Sequence, residues 1–249
     1  MKKLKSMLVT LALLLCCISV GAHDFEVDGI YYKFISSEDK TVEVTHKTII
    51  FTNYYGVYSG EISIPETVEY NNIIFKVISI GNEAFYGCDS LHSVIIPNSI
   101  TEIGHHAFAQ SGISNIKIPE SISVIKEYTF QGCDKLTTVT LPSHISEIGV
   151  CAFNACILLE SINIPDSLTS INSSVFNGCR SLTSVDIPNK VTNISGRAFC
   201  DCSNLTSIKI PNSVINIGEK AFSGCYNLPS ITIPNSVVLI DNKAFYNCI

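Results

Sequence analysis

From residue 85 onward the chain keeps a fixed beat. Phenylalanine returns at Phe85, Phe108, Phe130, Phe153, Phe176, Phe199, Phe222 and Phe245, steps of 23 residues with a single step of 22. Ile-Pro or Leu-Pro returns on the same period at Pro97, Pro119, Pro142, Pro165, Pro188, Pro211 and Pro234. Cysteine follows three residues after its Phe at Cys88, Cys133, Cys156, Cys179, Cys202, Cys225 and Cys248. The short unit between Phe108 and Pro119 carries Ser111 in place of that cysteine. A unit of this size cannot bury its own apolar side, so it must stack on its neighbours. The pattern predicts a repeat solenoid of about eight coils, right-handed and roughly 40 Å long at the usual spacing of paired strands.

One unit, Leu205 to Asn227, reads L-x-x-[IV]-x-I-P-x-S-[IVL]-x-x-I-x-x-x-A-F-x-x-C-x-x. Ile208-Lys209-Ile210 alternates apolar and polar, the period of a short strand with one buried face. Proline then ends the strand, because it lacks an N–H and fixes φ. Ser213 to Ile217 is expected to form a second short strand or extended side with Val214 and Ile217 inward. The Ala-Phe turn brings the chain close and places a ring in the core, so eight phenylalanines should line up as an inner spine. The architecture is therefore mostly β, with short turns or helical turns between strands.

Ahead of the repeats, Lys2, Lys3 and Lys5 precede an apolar run from Leu8 to Val20, and Val20-Gly21-Ala22 places small residues before a cut at His23. That run is too short to span a bilayer and reads as a secretory signal at residues 1–22. Cys16 and Cys17 lie within it, but Leu15 precedes Cys16 where a lipid-modified cysteine takes Gly, Ala or Ser. No membrane span is expected once the signal is removed. Thirteen basic against 22 acidic residues then leave a formal charge of −9, which argues against nucleic acid as a partner.

Nine cysteines remain beyond residue 22 in a chain bound for an oxidising place. Seven fall in one column of parallel side chains, a poor geometry for disulfides, and are expected to form a ladder of buried thiols. Cys151 and Cys200 lie off that column. The six histidines, His23, His46, His92, His105, His106 and His144, do not recur with the cysteines, so no nucleophile and base pair is expected. His105-His106 has no second ligand cluster, and phosphate-loop, nucleophile-elbow and zinc-protease motifs are absent. No catalytic residue, metal ligand or cofactor is predicted. Asn172, Asn193 and Asn204 begin N-x-Ser/Thr sequons.

The unit resembles the BspA-like class of leucine-rich repeats, whose pattern IPxSVxxIGxxAFxxCxxLxxI it follows closely from Ile62 to Ile249. The segment AHDFEVDGIYYKF, Ala22 to Phe34, is similar to the opening of secreted members of that class. The resemblance implies a leucine-rich repeat solenoid over residues 61–249 and an N-terminal β-hairpin cap over 23–60. Asp28-Gly29 would be the hairpin turn and Thr41 to Val44 an alternating strand of that cap. Pro65 to Phe85 would be the first unit, lengthened by an insertion around Val68 to Val77. The class is associated with adhesion to host extracellular proteins and cells, which makes a secreted or cell-surface location and a protein partner, such as a matrix protein, the expectation by analogy.

Outward positions of the first strands are the candidate partner-binding residues. One column is Ile95, Lys117, Thr140, Asn163, Asp186, Lys209 and Thr232. The other is Ser93, Asn115, Thr138, Ser161, Ser184, Ser207 and Ser230. Together they make a flat ladder of small polar groups suited to hydrogen bonding along an extended ligand, although Ser and Thr also suit any exposed strand. The rival expectation is a carbohydrate-binding accessory protein of a gut anaerobe, which would display aromatic platforms. This chain has no tryptophan, and tyrosines cluster early, at Tyr31, Tyr32, Tyr54, Tyr55 and Tyr58. The sequence stops in mid-coil at Cys248-Ile249, so either the last coil caps itself or two chains meet there, a route to self-association.

Overall fold

The computed structural model describes residues 23–47 and 56–248. The predicted signal sequence at 1–22, together with Tyr54, Tyr55 and Ile249, lies outside them. No helix occurs among the described residues.

Near the N-terminus, β1 (Phe25–Val27) and β2 (Ile30–Ser36) form an antiparallel hairpin. Its turn, Asp28-Gly29, holds both residues at positive φ. β3 (Thr41–Thr45) runs antiparallel to β2, and β4 (Gly60–Ser63) lies apart from this sheet. The insertion expected in the first unit is a second hairpin, β5 (Thr67–Tyr70) and β6 (Ile73–Ile80), turning at Asn71-Asn72 with φ of 52° and 62°. β6 also lies parallel to β3, so the hairpin joins the N-terminal sheet in the order β1-β2-β3-β6-β5.

Two strands per repeat follow. The first strands are β7 (Leu91–Ile95), β9 (Asn115–Lys117), β11 (Thr138–Thr140), β13 (Ser161–Ile162), β15 (Ser184–Asp186) and β17 (Ser207–Lys209). The second strands are β8 (Glu102–Ile103), β10 (Val124–Ile125), β12 (Glu147–Ile148), β14 (Ser170–Ile171), β16 (Asn193–Ile194), β18 (Asn216–Ile217) and β19 (Leu239–Ile240). Like pairs with like, always in parallel: β4 with β7, β9 through β11 to β13, and β15 with β17 on one side. On the other, β6 pairs with β8, β10 with β12, and β14 through β16 and β18 to β19.

Within the expected strand or extended side from Ser213 to Ile217, only Asn216–Ile217 pairs as a strand, and Val214 and Ile217 are buried as expected. The remainder is a tight corner. In each coil the Pro carbonyl accepts the N–H three residues on, as in Val214 to Pro211 at 3.1 Å. In three coils the serine of the P-x-S motif closes the corner: Ser213 Oγ donates to Val191 O of the preceding coil at 2.6 Å, and Ser121 and Ser167 donate likewise to Ile100 and Ile145, whereas the buried hydroxyls of Ser99 and Ser236 find no partner among the described residues. Serine is not obligatory there, since His144 and Lys190 hold the same place in two other coils.

The Ala-Phe turns form a third side. Successive turns are linked by backbone bonds such as Phe85 N to Ala107 O at 2.7 Å and Phe222 N to Ala244 O at 2.8 Å. Inside, the rings from Phe85 to Phe245 stack with centroids 5.0 to 5.8 Å apart and interplanar angles of 2° to 18°. All but the last are fully buried. Burying each contributes about 2 to 3 kcal/mol. Tyr58 extends the stack toward the N-terminus, 4.8 Å from Phe85. Its hydroxyl donates to Thr45 O at 2.6 Å and accepts Tyr31 N–H at 3.0 Å, which ties the spine to the N-terminal sheet.

Each turn visits the left-handed region twice. The first column is Glu83, His106, Tyr128, Cys151, Ser174, Arg197, Lys220 and Lys243, all near φ 55°. The second column is Gly in half the coils, at Gly87, Gly132, Gly178 and Gly224, but Ala155 stands there with φ 60°. A methyl group in that conformation costs about 1 kcal/mol that glycine does not incur. Ala155→Gly is therefore expected to raise stability by about 0.5 to 1 kcal/mol, read as a higher urea midpoint at unchanged slope. A lower midpoint would contradict the left-handed turn.

At the far end the last coil is open. Ile240 is 47% exposed where Ile217 and Ile194, in the same column, are fully buried, and Val238 is 83% exposed.

Candidate binding face on the first strands

The parallel register brings the expected outward residues into lines. Thr138 lies between Asn115 and Ser161, and Thr140 beside Lys117. Ser184 lies beside Ser207 and Asp186 beside Lys209. Asn163 follows directly on β13, and Ser230 and Thr232 occupy the equivalent segment of the next coil, where no strand forms. All twelve side chains are exposed, while Ile116, Val139, Ile162 and Val185 between them point inward and are buried. The cause is the two-residue period of a strand whose other face is the core.

Few internal bonds engage this face. Asn115 Nδ2 donates to Ser114 Oγ at 3.1 Å, and Lys117, Asp186 and Lys209 form no ion pair with any described residue. Charged groups left in this state remain able to meet a partner's charges without first breaking an internal pair. Toward the N-terminal end the face dips into a groove of about 570 Å³ that includes Glu66, Ile95, Pro97, Asn98, Asn115 and Lys117. Ile95 is 65% exposed at its edge. Glu66 was not among the sequence candidates, because the residues beside it in the chain lead into the inserted hairpin and its place against β7 and β9 is tertiary.

Cysteines are held away from chemistry. Sγ of Cys133, Cys156, Cys179, Cys202, Cys225 and Cys248 donates to the carbonyl of a Phe one coil back plus three residues, Phe108 through Phe222, at 3.0 to 3.2 Å. Each such carbonyl also accepts the N–H three residues on in its own coil, so the thiol fills its second lone pair. All nine described cysteines are free. Burial pushes the thiols of Cys133, Cys179 and Cys225 up to about 12 and those of Cys88 and Cys200 up to about 11. Ser111, the exception in the column, sits 3.5 Å from Cys133 Sγ.

The histidines are scattered. His105 lies 4.0 Å from Glu127 and His144 lies 3.5 Å from Glu120, on exposed turns, while His106 stacks on Tyr128. His46 keeps Nδ1 buried without a partner, and burial pushes its imidazole below the ordinary range. No group of three or more metal-ligating side chains occurs among the described residues. No helix among the described residues is long and apolar enough to cross a membrane. Sequon residues are engaged within the fold: Asn172 Nδ2 donates to Ile148 O and Asn193 Nδ2 to Ser195 Oγ, both at 2.8 Å, and Asn204 Oδ1 accepts from Asn227.

The early tyrosines among the described residues make no platform. Tyr31, Tyr32 and Tyr58 are buried, and Tyr32 packs with Phe25 beneath the N-terminal sheet.

Comparison with known proteins gives the same picture. A leucine-rich repeat protein from Bacteroides ovatus is 30% identical, with 91% of this chain and 69% of that one covered at a TM-score of 0.67. A Treponema pallidum leucine-rich repeat protein is 28% identical over 90% of this chain and 88% of that one, at 0.57. The pneumococcal vaccine antigen PcpA, 17% identical over 90% of this chain and 73% of that one, shares the fold at 0.52. No curated protein matches. The family model for the BspA type leucine-rich repeat region matches residues 62–181 and 125–249, in six copies. The prolines, phenylalanines and cysteines that pace the sequence are thus the repeat of a known class, and this chain belongs to the BspA-type leucine-rich repeat proteins.

Proposed function

We propose that this protein is a secreted or cell-surface, non-catalytic binder that attaches to extracellular macromolecules, matrix or host-surface proteins above all, through its first-strand face. Membership of a leucine-rich repeat family supports a protein-binding role. The observation that carries the choice of face is its regularity: twelve exposed, mostly uncharged hydrogen-bonding side chains at equivalent places in successive coils, nine of them held in register by the parallel ladders β9-β11-β13 and β15-β17. A rigid display of this kind loses little conformational freedom when a partner arrives. The secreted location rests on the signal pattern of residues 1–22.

The carbohydrate reading has less support. Sugar platforms need exposed aromatic rings on the binding face, and Tyr226 and Tyr246, the exposed large aromatics among the described residues, belong to Ala-Phe turns near the open end. Self-association through that end is a further proposal, supported by the exposed Val238, Leu239 and Ile240.

The test is binding of the purified chain from His23 onward to an array of extracellular-matrix proteins and glycans, beside a variant with Lys117, Asp186 and Lys209 all changed to Ala. Protein binding that drops at least about tenfold in the variant is the expected result. Glycan binding alone, or protein binding the variant retains, would overturn it.

A further inference from the structure

Among the described residues, β4 is the first of the first strands, and nothing pairs with its outer edge. Gly60 N–H donates to Ser90 O and Ile64 N–H to Ile95 O, so even-numbered residues of β4 face β7. Strand alternation then turns the N–H and C=O groups of Glu61 and Ser63 the other way, where no described strand pairs with them. Beyond this edge lies a groove of about 410 Å³, and across it stands β5, itself the end strand of the N-terminal sheet. The N-terminal sheet therefore continues the second-strand side of the solenoid, and no described strand of it pairs with β4 on the first-strand side.

The lining of the groove suits an extended chain. Val27, Ile30 and Val68 supply an apolar floor, and Asp28, Glu61 and Glu69 stand exposed around it. No Lys or Arg lines it. Charges on an edge strand keep uncharged or acidic strands away, and here they are all negative. They select one kind of visitor, an extended segment that alternates basic with apolar residues.

We infer that the groove beside β4 is a strand-addition site for an extended basic peptide, whose backbone pairs with Glu61 and Ser63, whose apolar side chains rest on Val27, Ile30 and Val68, and whose basic side chains meet Asp28, Glu61 and Glu69. Main-chain pairing supplies affinity in this mode and the alternate side chains supply selectivity. The site is separate from the outward columns of the first strands and stands whether or not those bind a partner.

The experiment uses the isotopically labelled protein and an acetylated, amidated peptide of four Lys-Val pairs, followed by amide shifts and hydrogen exchange. Glu61 and Ser63 amides are expected to move most and to exchange at least about tenfold more slowly at saturation. Two control peptides carry N-methyl groups on every Val or on every Lys. One of the two is expected to bind at least about tenfold more weakly, since each removes the donors along one edge of the strand. A peptide of Glu-Val pairs, and the Glu61→Lys and Glu69→Lys double variant with the original peptide, are each expected to lose binding. Equal binding by both N-methylated peptides, shifts centred elsewhere, or no shift at about 1 mM peptide would overturn the inference.

Discussion

Phe153→Ala is expected to lower stability by about 3 to 5 kcal/mol, because the ring is fully buried and the coils above and below are pinned too closely by backbone bonds to collapse into the space. Phe153 stacks on Phe130 at 5.2 Å and Phe176 at 5.8 Å, so its loss also interrupts the spine at mid-length. The comparison that gives this number meaning is Phe245→Ala. Phe245 stacks on Phe222 alone and is partly exposed in the open last coil, so its removal should cost less than half as much. Urea unfolding of the two variants measures both. Equal losses would mean that stability is not carried by the closed interior of the stack.

Raising the pH should unfold the protein well before its backbone chemistry suffers. Buried thiols of Cys133, Cys179 and Cys225 hold their protons to about pH 12, whereas the unfolded chain releases them near pH 9. The folded state therefore binds more protons than the unfolded state between those limits, and stability falls as pH rises through them. Below about pH 9 the contribution is fully present. Each thiol takes away about 1.4 kcal/mol per pH unit above that, so these three alone remove about 4 kcal/mol per unit. Cys156 and Cys202, also raised by burial, act in the same direction, as does Tyr32, whose phenol burial pushes to about 12. A domain with an ordinary stability of about 5 to 15 kcal/mol would unfold between about pH 10 and 12. Urea midpoints at pH 8, 9 and 10 read the effect, and Cys179→Ala should flatten the slope by about one proton. Stability that stays level to pH 10 would contradict the thiol ladder.

The core of this fold was legible because its signals repeat. Phe, Pro and Cys recur on one period, and residues such as Val185 and Ile194 sit where two-residue alternation and the unit consensus put them. Ser121, Ser167 and Ser213 were visible as a motif without a visible purpose, since the carbonyl each one reaches belongs to the preceding coil. The left-handed turns were not legible at all. Glu83, His106, Tyr128 and Arg197 share the same conformation and no common chemistry, so residue type carries no signal there. Tyr58 was hidden for a related reason: its place at the head of the Phe stack depends on how a non-repeating segment meets the first coil.

Much the same division applies to the candidate face. Outward positions such as Thr138, Asp186 and Lys209 follow from strand alternation and needed no coordinates. The groove at Glu66 and Ile95 and the open edge of β4 arise where the inserted hairpin β5–β6 joins a different sheet from β4, an outcome of strand order rather than of local pattern.

The proposed function requires the first-strand face to meet the partner while the rest of the coil supports it. A paired comparison tests this most directly. One variant removes charge from the face, with Lys117, Asp186 and Lys209 changed to Ala. The other removes charge from the Ala-Phe turns on a different side, with Arg197, Lys220 and Lys243 changed to Ala. Both alter exposed or half-exposed side chains and should unfold within about 1 kcal/mol of the unaltered protein. Measured against the same matrix protein, binding should fall at least about tenfold in the first variant and stay level in the second. Equal loss in both, or loss confined to the turn variant, would contradict the assignment of the binding face.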